Sequence, residues 1–493
     1  MSIRSNYLYN LIWVSSGILF PLITFPYSAR VLGVEGIGLV RFFSSIITYV
    51  TLFSSLGIPI YAIREIARVR DDYGKMINTT VEILSLHLFL TVLGYIVIAF
   101  ICFTTPKVSN DIPLFLILSA GLLFGALGCE WFFTGNEDFK YITIRAFVVR
   151  FLSIILLFTF VHTKEDILEY AVVTVIGTVG NNLFNFYRLG RLIKFSDINW
   201  KKLQPIKRLY PALKVFVLYA IISLYTNLNA IILGFIQNNE AVGYYAAATK
   251  LTSVIIAIVG ALQTVMIPRF SYLAKQETMI EFNKLCQKVI DFVLMICIPM
   301  ALLTTILAPS FIRLFCGEIY KPAIMTLIII APMIVFVALS GIPCFQILYP
   351  LGHEREAIWS VATGGFVNLL LCAFFIPTLS YNGAAIALVT CEFVVLVTMF
   401  VYGKQYIPVK RWSKHYSNCL LAGSVMLILL LAVAAAGLND WLNILLSSFV
   451  GFSSFIGVLM LKRDEFFLKM RKDVRILFLN NMSILLNNES IQK

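Results

Sequence analysis

The chain has 493 residues, of which 59% are apolar or aromatic and only 13% are charged, with a formal net charge of +13. Soluble domains are about 45–50% apolar and about 25% charged, so no water-soluble fold of this length hides the surplus. The basic residues are scattered over many short segments, which argues against a nucleic-acid-binding face.

Apolar runs between charged or Pro/Gly-rich breaks predict fourteen membrane spans. In chain order these are Leu8–Val31, Leu39–Ile60, Ile77–Thr104, Ile112–Thr134, Tyr141–His162, Ile167–Tyr187 and Leu213–Ile236. They continue with Val242–Ile267, Cys286–Ala308, Pro322–Tyr349, Ile358–Pro377, Asn382–Gly403, Ser417–Gly437 and Trp441–Leu461. Each is long enough for a hydrocarbon core of ~30 Å. Helices are expected, because a backbone facing lipid must satisfy its own hydrogen bonds. The opening MSIRSNYLYN lacks a small-residue cleavage site, so the first span is expected to be retained.

The loops alternate in charge. One set carries Arg4, Arg64, Arg68, Arg70, Lys75, Lys140, the run from Arg188 to Lys214, Arg269, Lys275, Lys284, Lys288, Arg355, Lys404, Lys410, Arg411, Lys414 and the tail from Lys462. The other set holds Arg30, Arg41, Lys107, Lys164, Arg313 and Lys321. The excess of Lys and Arg on one side predicts that both termini lie in the cytoplasm.

A basic connector with Pro205 and Pro211 separates spans six and seven, and an internal repeat falls on either side of it. Leu32-Gly33 and Glu35-Gly36-Ile37-Gly38 are followed by Arg64; Leu233-Gly234 and Glu240-Ala241-Val242-Gly243 are followed by Arg269. Arg70 and Asp72 continue the register onto Lys275 and Glu277. The expected organisation is a helical lobe at 1–190, a linker at 191–212, a second lobe at 213–403, two further helices at 404–461 and a tail at 462–493. Transporters are commonly built from such repeats.

Ionisable residues inside spans are costly and mark a pathway by default. The cations are Arg145 and Arg150 on span five and Lys250 on span eight, with Arg30 and Arg41 flanking the first outer turn. The carboxylates are Glu82, Glu130, Asp291 and Glu392. Arg30, Arg41, Arg145, Glu82 and Asp291 lie near predicted span ends, where a side chain can also reach water. The surplus of cations suggests an anionic substrate, and a pyrophosphate offers oxygens that Arg grips in pairs. Glu130 and Glu392 are the candidates for ion coupling. Nine scattered cysteines and four separated histidines give no metal or disulfide pattern, no cofactor is expected, and no nucleotide-binding loop occurs. The outer loops are too short for a catalytic domain, so an enzyme is not expected.

Several segments resemble the Wzx-type polysaccharide flippases of the multidrug/oligosaccharidyl-lipid/polysaccharide exporter superfamily. They are Phe25-Pro26-Tyr27-Ser28-Ala29-Arg30-Val31-Leu32-Gly33 through Gly38, Arg64-Glu65-Ile66-Ala67, and Glu130-Trp131-Phe132-Phe133-Thr134-Gly135. In the second half they are Tyr225-Thr226-Asn227-Leu228-Asn229, Leu233-Gly234, Val242-Gly243-Tyr244-Tyr245 and Pro268-Arg269-Phe270-Ser271. The resemblance implies an all-α, MATE-like fold of two six-helix lobes with two extra C-terminal helices around a cationic cavity. It also implies transfer of an undecaprenyl-pyrophosphate-linked oligosaccharide between leaflets, with membrane lipid and polysaccharide polymerase or assembly proteins as partners. Asn229 stands where that family often has Asp, and Thr134 where it often has Gln. Alternatives are a lipid II flippase or a drug/cation antiporter of the same superfamily, or a membrane-embedded polymerase or ligase.

Overall fold

The computed structural model describes residues 3–193, 198, 200–275, 279–406 and 414–472. Lys194, Glu277, Lys410, Arg411 and the tail beyond 472 lie outside the described residues. The described chain is helical throughout. Its α-helices are α1 (Ile3–Ser55), α2 (Ile58–Val69), α3 (Tyr73–Thr104), α4 (Pro106–Ser109), α5 (Ile112–Leu127), α6 (Glu130–Gly135), α7 (Phe139–Phe160), α8 (Ile167–Val179) and α9 (Asn181–Leu192). After two short 3-10 turns come α10 (Leu209–Ile236), α11 (Asn239–Lys275), α12 (Met279–Ile306), α13 (Ala308–Cys316), α14 (Ala323–Ile330) and α15 (Met333–Gly341). A π-helical turn, Ile342–Leu348, contains Pro343 and leads to α16 (Glu354–Tyr402), α17 (Lys414–Ala435) and α18 (Asp440–Leu461).

Ten of these helices are long and apolar enough to cross a membrane, and the bent pair α8/α9 makes an eleventh. Two of the ten stretches are 50 and 49 residues long, about twice what one crossing needs. Each contains a break: α1 at Gly33 (φ 72°) and α16 at Ser380 (φ 49°). Counted as separate crossings, and with α10 added, they are consistent with the fourteen predicted spans. Phe100, Phe103, Phe374 and Phe449 lie well exposed along the spans, as side chains do when lipid is their solvent. This is a multi-pass membrane protein.

By packing, the chain divides into two compact units. The first comprises Met1–Leu251, Phe315–Thr326 and Val361–Cys391; the second comprises Thr252–Leu314, Leu327–Ser360 and Glu392–Lys493.

Within the first unit, α1 packs against α3, α5, α7 and α10. Tyr61, Ile66, Ile77, Trp131, Phe133 and Ile142 form a buried core where α2, α3, α6 and α7 meet. The two segments that the sequence pairs as a repeat touch here. A Cβ on Gly38 would lie 1.7 Å from the Asn239 carbonyl oxygen and 2.8 Å from the Gly243 nitrogen. A Cβ on Gly243 would lie 2.1 Å from the Val34 carbonyl oxygen. The corresponding glycines of the two copies thus let two backbones cross without side chains, the usual device for close helix approach in membranes.

Loops assigned by charge to one side also meet one another. The Tyr320 hydroxyl donates to the Gly33 carbonyl at 3.0 Å, and Lys107 caps α10 through the carbonyls of Gly234 and Gln237. On the other set, Arg70 pairs with Glu137 at 2.8 Å, and the Tyr73 hydroxyl donates to the Leu192 carbonyl at 2.9 Å.

In the second unit, Phe270, Phe282, Val293 and Ile334 fill one core, and Leu307, Met426, Phe455 and Leu459 fill another between α12, α17 and α18. Arg313 grips Asp440 through two nitrogens, at 2.5 and 2.9 Å.

Candidate functional site

Two breaks shape the interior of the first unit. Cys129, with φ 42°, turns the chain between α5 and α6, and α8 meets α9 at 45° beside Gly180. The two breaks touch: the Asn182 side chain fills the space that a Cβ on Gly128 would need. They bring Glu130 and Asn181 together, with the Asn181 amide 3.5 Å from the Glu130 carboxylate.

A cavity of about 370 Å³ opens between α1, α7, α8 and α11. Arg150 and Lys250 both line it, from helices 100 residues apart in sequence. Arg150 donates to the Ser16 hydroxyl, and its guanidinium lies over Gly17, where a larger side chain would crowd it. The hydroxyls of Thr24, Ser153, Tyr170, Thr174 and Thr178 complete a polar wall, and no carboxylate is among the lining residues described. Such a set of two cations and several hydroxyls is suited to an anion with many oxygens. The volume falls within the ~300–1,000 Å³ of small-ligand sites.

Tyr170, Thr174 and Thr178 escaped the sequence reading, although they recur every fourth residue on one face of α8. Their spacing was the available signal. On α7, Ser153 and Leu157 were likewise passed over, although they lie three and seven residues after Arg150 and so share its face.

The other predicted cations divide. Arg41 hydrogen-bonds the Asn227 side chain at 3.3 Å and lies near enough for its charge to act on Lys250. Arg30 sits against Gly317 and is not part of the cavity wall. Arg145 faces another side of α7: it pairs with Glu130 at 3.3 Å and lies over the Tyr141 ring at 5.3 Å. Glu130 therefore has an ion-pair partner, and its charge also reaches Arg150. Glu392 is buried in the second unit.

Arg64 is exposed, 3.7 Å from Glu65, and lines a polar pocket of about 480 Å³ with Arg68, Lys207 and Arg208. Its counterpart in the repeat, Arg269, is likewise exposed and lies over Tyr272 at 5.5 Å. Glu82 does not line the cavity. It accepts from the Gln204 backbone at 2.9 Å and from Arg208 at 2.8 Å, tying the connector to α3. Asp291 accepts from Gln287 at 2.8 Å inside the second unit.

Asn229 is fully buried. Its amide donates to the Ala384 carbonyl at 3.0 Å, and its oxygen accepts from Asn368 at 2.6 Å. The Cys372 thiol lies 3.4 Å from the same oxygen. Asn229 thus belongs to an uncharged cluster whose hydrogen bonds are made internally.

The sequence model of the polysaccharide biosynthesis protein family matches residues 3–274. Over 411 residues the chain is 26% identical to an Escherichia coli (strain K12) protein named "Putative O-antigen transporter", covering 81% of this chain and 97% of that protein. A Staphylococcus aureus protein named "Capsular polysaccharide biosynthesis protein CapF" is 24% identical over 282 residues, 55% of this chain and 68% of that protein. The fold is similar to that of the lipid II flippase MurJ in an inward closed conformation, with a TM-score of 0.72 and 15% identity, over 93% of this chain and 99% of that one. It is also similar to an inward-facing multidrug resistance MATE family transporter of the MOP superfamily, with a TM-score of 0.65 and 17% identity, over 78% and 93% of the two chains. The expected all-α, MATE-like architecture is borne out by these two likenesses, which bear on the fold alone. With more than half of its length matched, the chain is a multi-spanning membrane protein that belongs to the polysaccharide biosynthesis protein family.

Proposed function

We propose that this protein is a flippase that carries an undecaprenyl-pyrophosphate-linked oligosaccharide from the cytoplasmic to the periplasmic leaflet, for O-antigen or capsular polysaccharide assembly. The observation that carries the reading is the convergence of Arg150 and Lys250 on one hydroxyl-lined cavity. The pyrophosphate would lie against these two cations, with Arg41 contributing charge from nearby. The sugar would share the polar space, and the polyprenyl chain would stay in lipid. Arg30 is proposed as a contact met during passage, outside the cavity wall. The lobes, six helices each with two helices added at the C-terminal end, would expose the cavity to each side in turn. Both termini are proposed to be cytoplasmic, from the loop charges. Energy would come from an ion gradient or from consumption of the product by a polymerase. The Glu130–Arg145 pair favours a counter-ion role for Glu130 over proton carriage, which leaves Glu392 as the coupling candidate.

The test is complementation of a flippase-deficient strain that carries this protein's own polysaccharide locus. Wild type should restore surface polymer. Arg150→Ala and Lys250→Ala should each abolish it at normal protein level, with lipid-linked unit accumulating on the cytoplasmic side. Full-length polymer from both variants would sink the cationic-cavity mechanism. Rescue of a lipid II flippase-deficient strain, without rescue of surface polymer, would reassign the substrate.

A further inference from the structure

The exposed flank of the first unit carries a third cavity, a groove of about 410 Å³ between α7 and α9. Three cations line it, Lys140, Arg145 and Arg188, against one carboxylate, Asp138, which pairs with Arg188 at 2.8 Å. The remainder of the groove is apolar, and Ile144, Val148 and Phe184 are each about half exposed along it. Its polarity is therefore graded along α7: charged at the end next to Phe139, apolar towards the middle of the membrane.

Arg145 supplies an independent observation. It is 6% exposed, and apart from its contact with Glu130 its Nε and Nη1 are buried without an acceptor. Buried donors in native proteins are nearly always paired, so this guanidinium is short of acceptors, and its charge makes the groove that it lines attractive to an anion. Both Arg145 and Arg188 lie over the Tyr141 ring, at 5.3 and 3.9 Å, which holds the two guanidiniums at the head of the groove. A basic pocket between helices at a membrane surface is suited to lipid headgroups.

We propose that this groove binds a membrane lipid with an anionic phosphate headgroup, held by Lys140, Arg145 and Arg188, with its hydrocarbon chain along Ile144, Val148 and Phe184. At about 100° per residue, Ile144 and Val148 lie on a different face of α7 from Arg150, Ser153 and Leu157, so the groove is separate from the substrate cavity. Glu130 touches Arg145 but lines neither the groove nor the cavity. The headgroup belongs to the cytoplasmic leaflet if the orientation proposed above holds; the site itself does not depend on that orientation. Two sources supply this chemistry: a bulk anionic phospholipid, or the substrate's own pyrophosphate waiting beside the carrier.

Native mass spectrometry of the full-length purified protein tests the site, with phosphatidylglycerol, phosphatidylcholine and undecaprenyl pyrophosphate as probes. The undecaprenyl pyrophosphate arm is run in an Arg150→Ala background, so that the substrate cavity is not counted. Retention of phosphatidylglycerol, undecaprenyl pyrophosphate or both over phosphatidylcholine is expected, and the probe retained identifies the source. Lys140→Gln with Arg188→Gln should lower that retention by about tenfold or more, since the loss of one strong charge-assisted contact is by itself about tenfold. Val148→Trp, at a lipid-exposed position, should lower it by blocking the tail, while Lys207→Gln should leave it unchanged. Equal retention of phosphatidylcholine, or retention indifferent to Lys140, Arg188 and Val148, would overturn the proposal. Lipid retention is read without any export assay, so its failure is distinct from failure of the flippase reading.

Discussion

At the scale of single residues, Gly38 has the least room among the described glycines. An added Cβ would meet a backbone oxygen at 1.7 Å, and a backbone cannot swing away as a flexible side chain can. Gly38→Ala is therefore expected to destabilise by at least the ~1–3 kcal/mol of ordinary overpacking. The check is the thermal midpoint and monodispersity of the purified variant. Gly121→Ala, whose Cβ would meet nothing within 4 Å, should match wild type. Equal behaviour of the two variants would mean that the crossing is looser than described. The site residues show how far side-chain chemistry can be read without coordinates. Arg150 and Lys250 were recognisable as intramembrane cations, and they do share a cavity. Arg145, of the same type and on the same helix, turns elsewhere. Five residues separate Arg145 from Arg150, about 500° of helix rotation, so they face different neighbours. Knowing which neighbour lies on which face requires the packing of α1, α8 and α9.

At the scale of elements, the connector between spans six and seven does more than link them. Arg208 binds Glu82 at 2.8 Å and Glu65 at 3.2 Å, and approaches the Tyr61 hydroxyl at 3.3 Å, so the turn before α10 is fastened to α2 and α3. Glu82 is 8% exposed, and without Arg208 its charge would be left poorly compensated. Hydrogen bonds to charged groups contribute ~1.5–3 kcal/mol, and Arg208→Ala should release the connector by about that much. Limited trypsin digestion is the measurement, with faster cleavage at Lys201 and Lys202 expected. Unchanged cleavage would show that Pro205 and Pro211 alone hold the segment. The sequence displayed Glu82 as a carboxylate inside a span and Arg208 as one loop charge among many. Nothing in the order of residues reveals that these two neutralise each other across 126 positions. The kinks divide in the same way: Gly33 and Pro26 are visible punctuation, whereas the left-handed turn at Cys129 is not, because cysteine gives no such signal.

At the scale of the whole molecule, the spans were legible because lipid demands long apolar helices, and that demand is written in composition. The two packing units were not, since the first gathers Phe315–Thr326 and Val361–Cys391 from far along the chain. A pH-dependent contribution to stability also belongs here. Asp464 follows α18 and fastens it to α17 through the Asn418 amide at 2.8 Å and the His415 ring at 2.9 Å. Burial by itself would raise this carboxyl, but the Asn418 amide, the Phe467 N–H and His415 together hold it below its ordinary value. A carboxyl depressed in the folded state contributes fully above the ordinary carboxylate range, and the contribution fades as pH falls through the lower native value. Asp464→Asn should therefore be less stable than wild type at neutral pH, and the two melting curves should converge in acid. Parallel curves across the whole pH range would remove Asp464 from the account.

The cavity has a further consequence once the membrane voltage is considered. Arg150 and Lys250 bring two positive charges to a space with no carboxylate among its described lining residues. A bound pyrophosphate of about two negative charges would leave the loaded cavity close to electroneutral. The empty cavity would then carry the uncompensated charge, and a field acts on each charge with about 2.3 kcal/mol per 100 mV across the whole membrane. On the proposed function, the voltage works on the return of the vacant protein more than on the passage of its cargo.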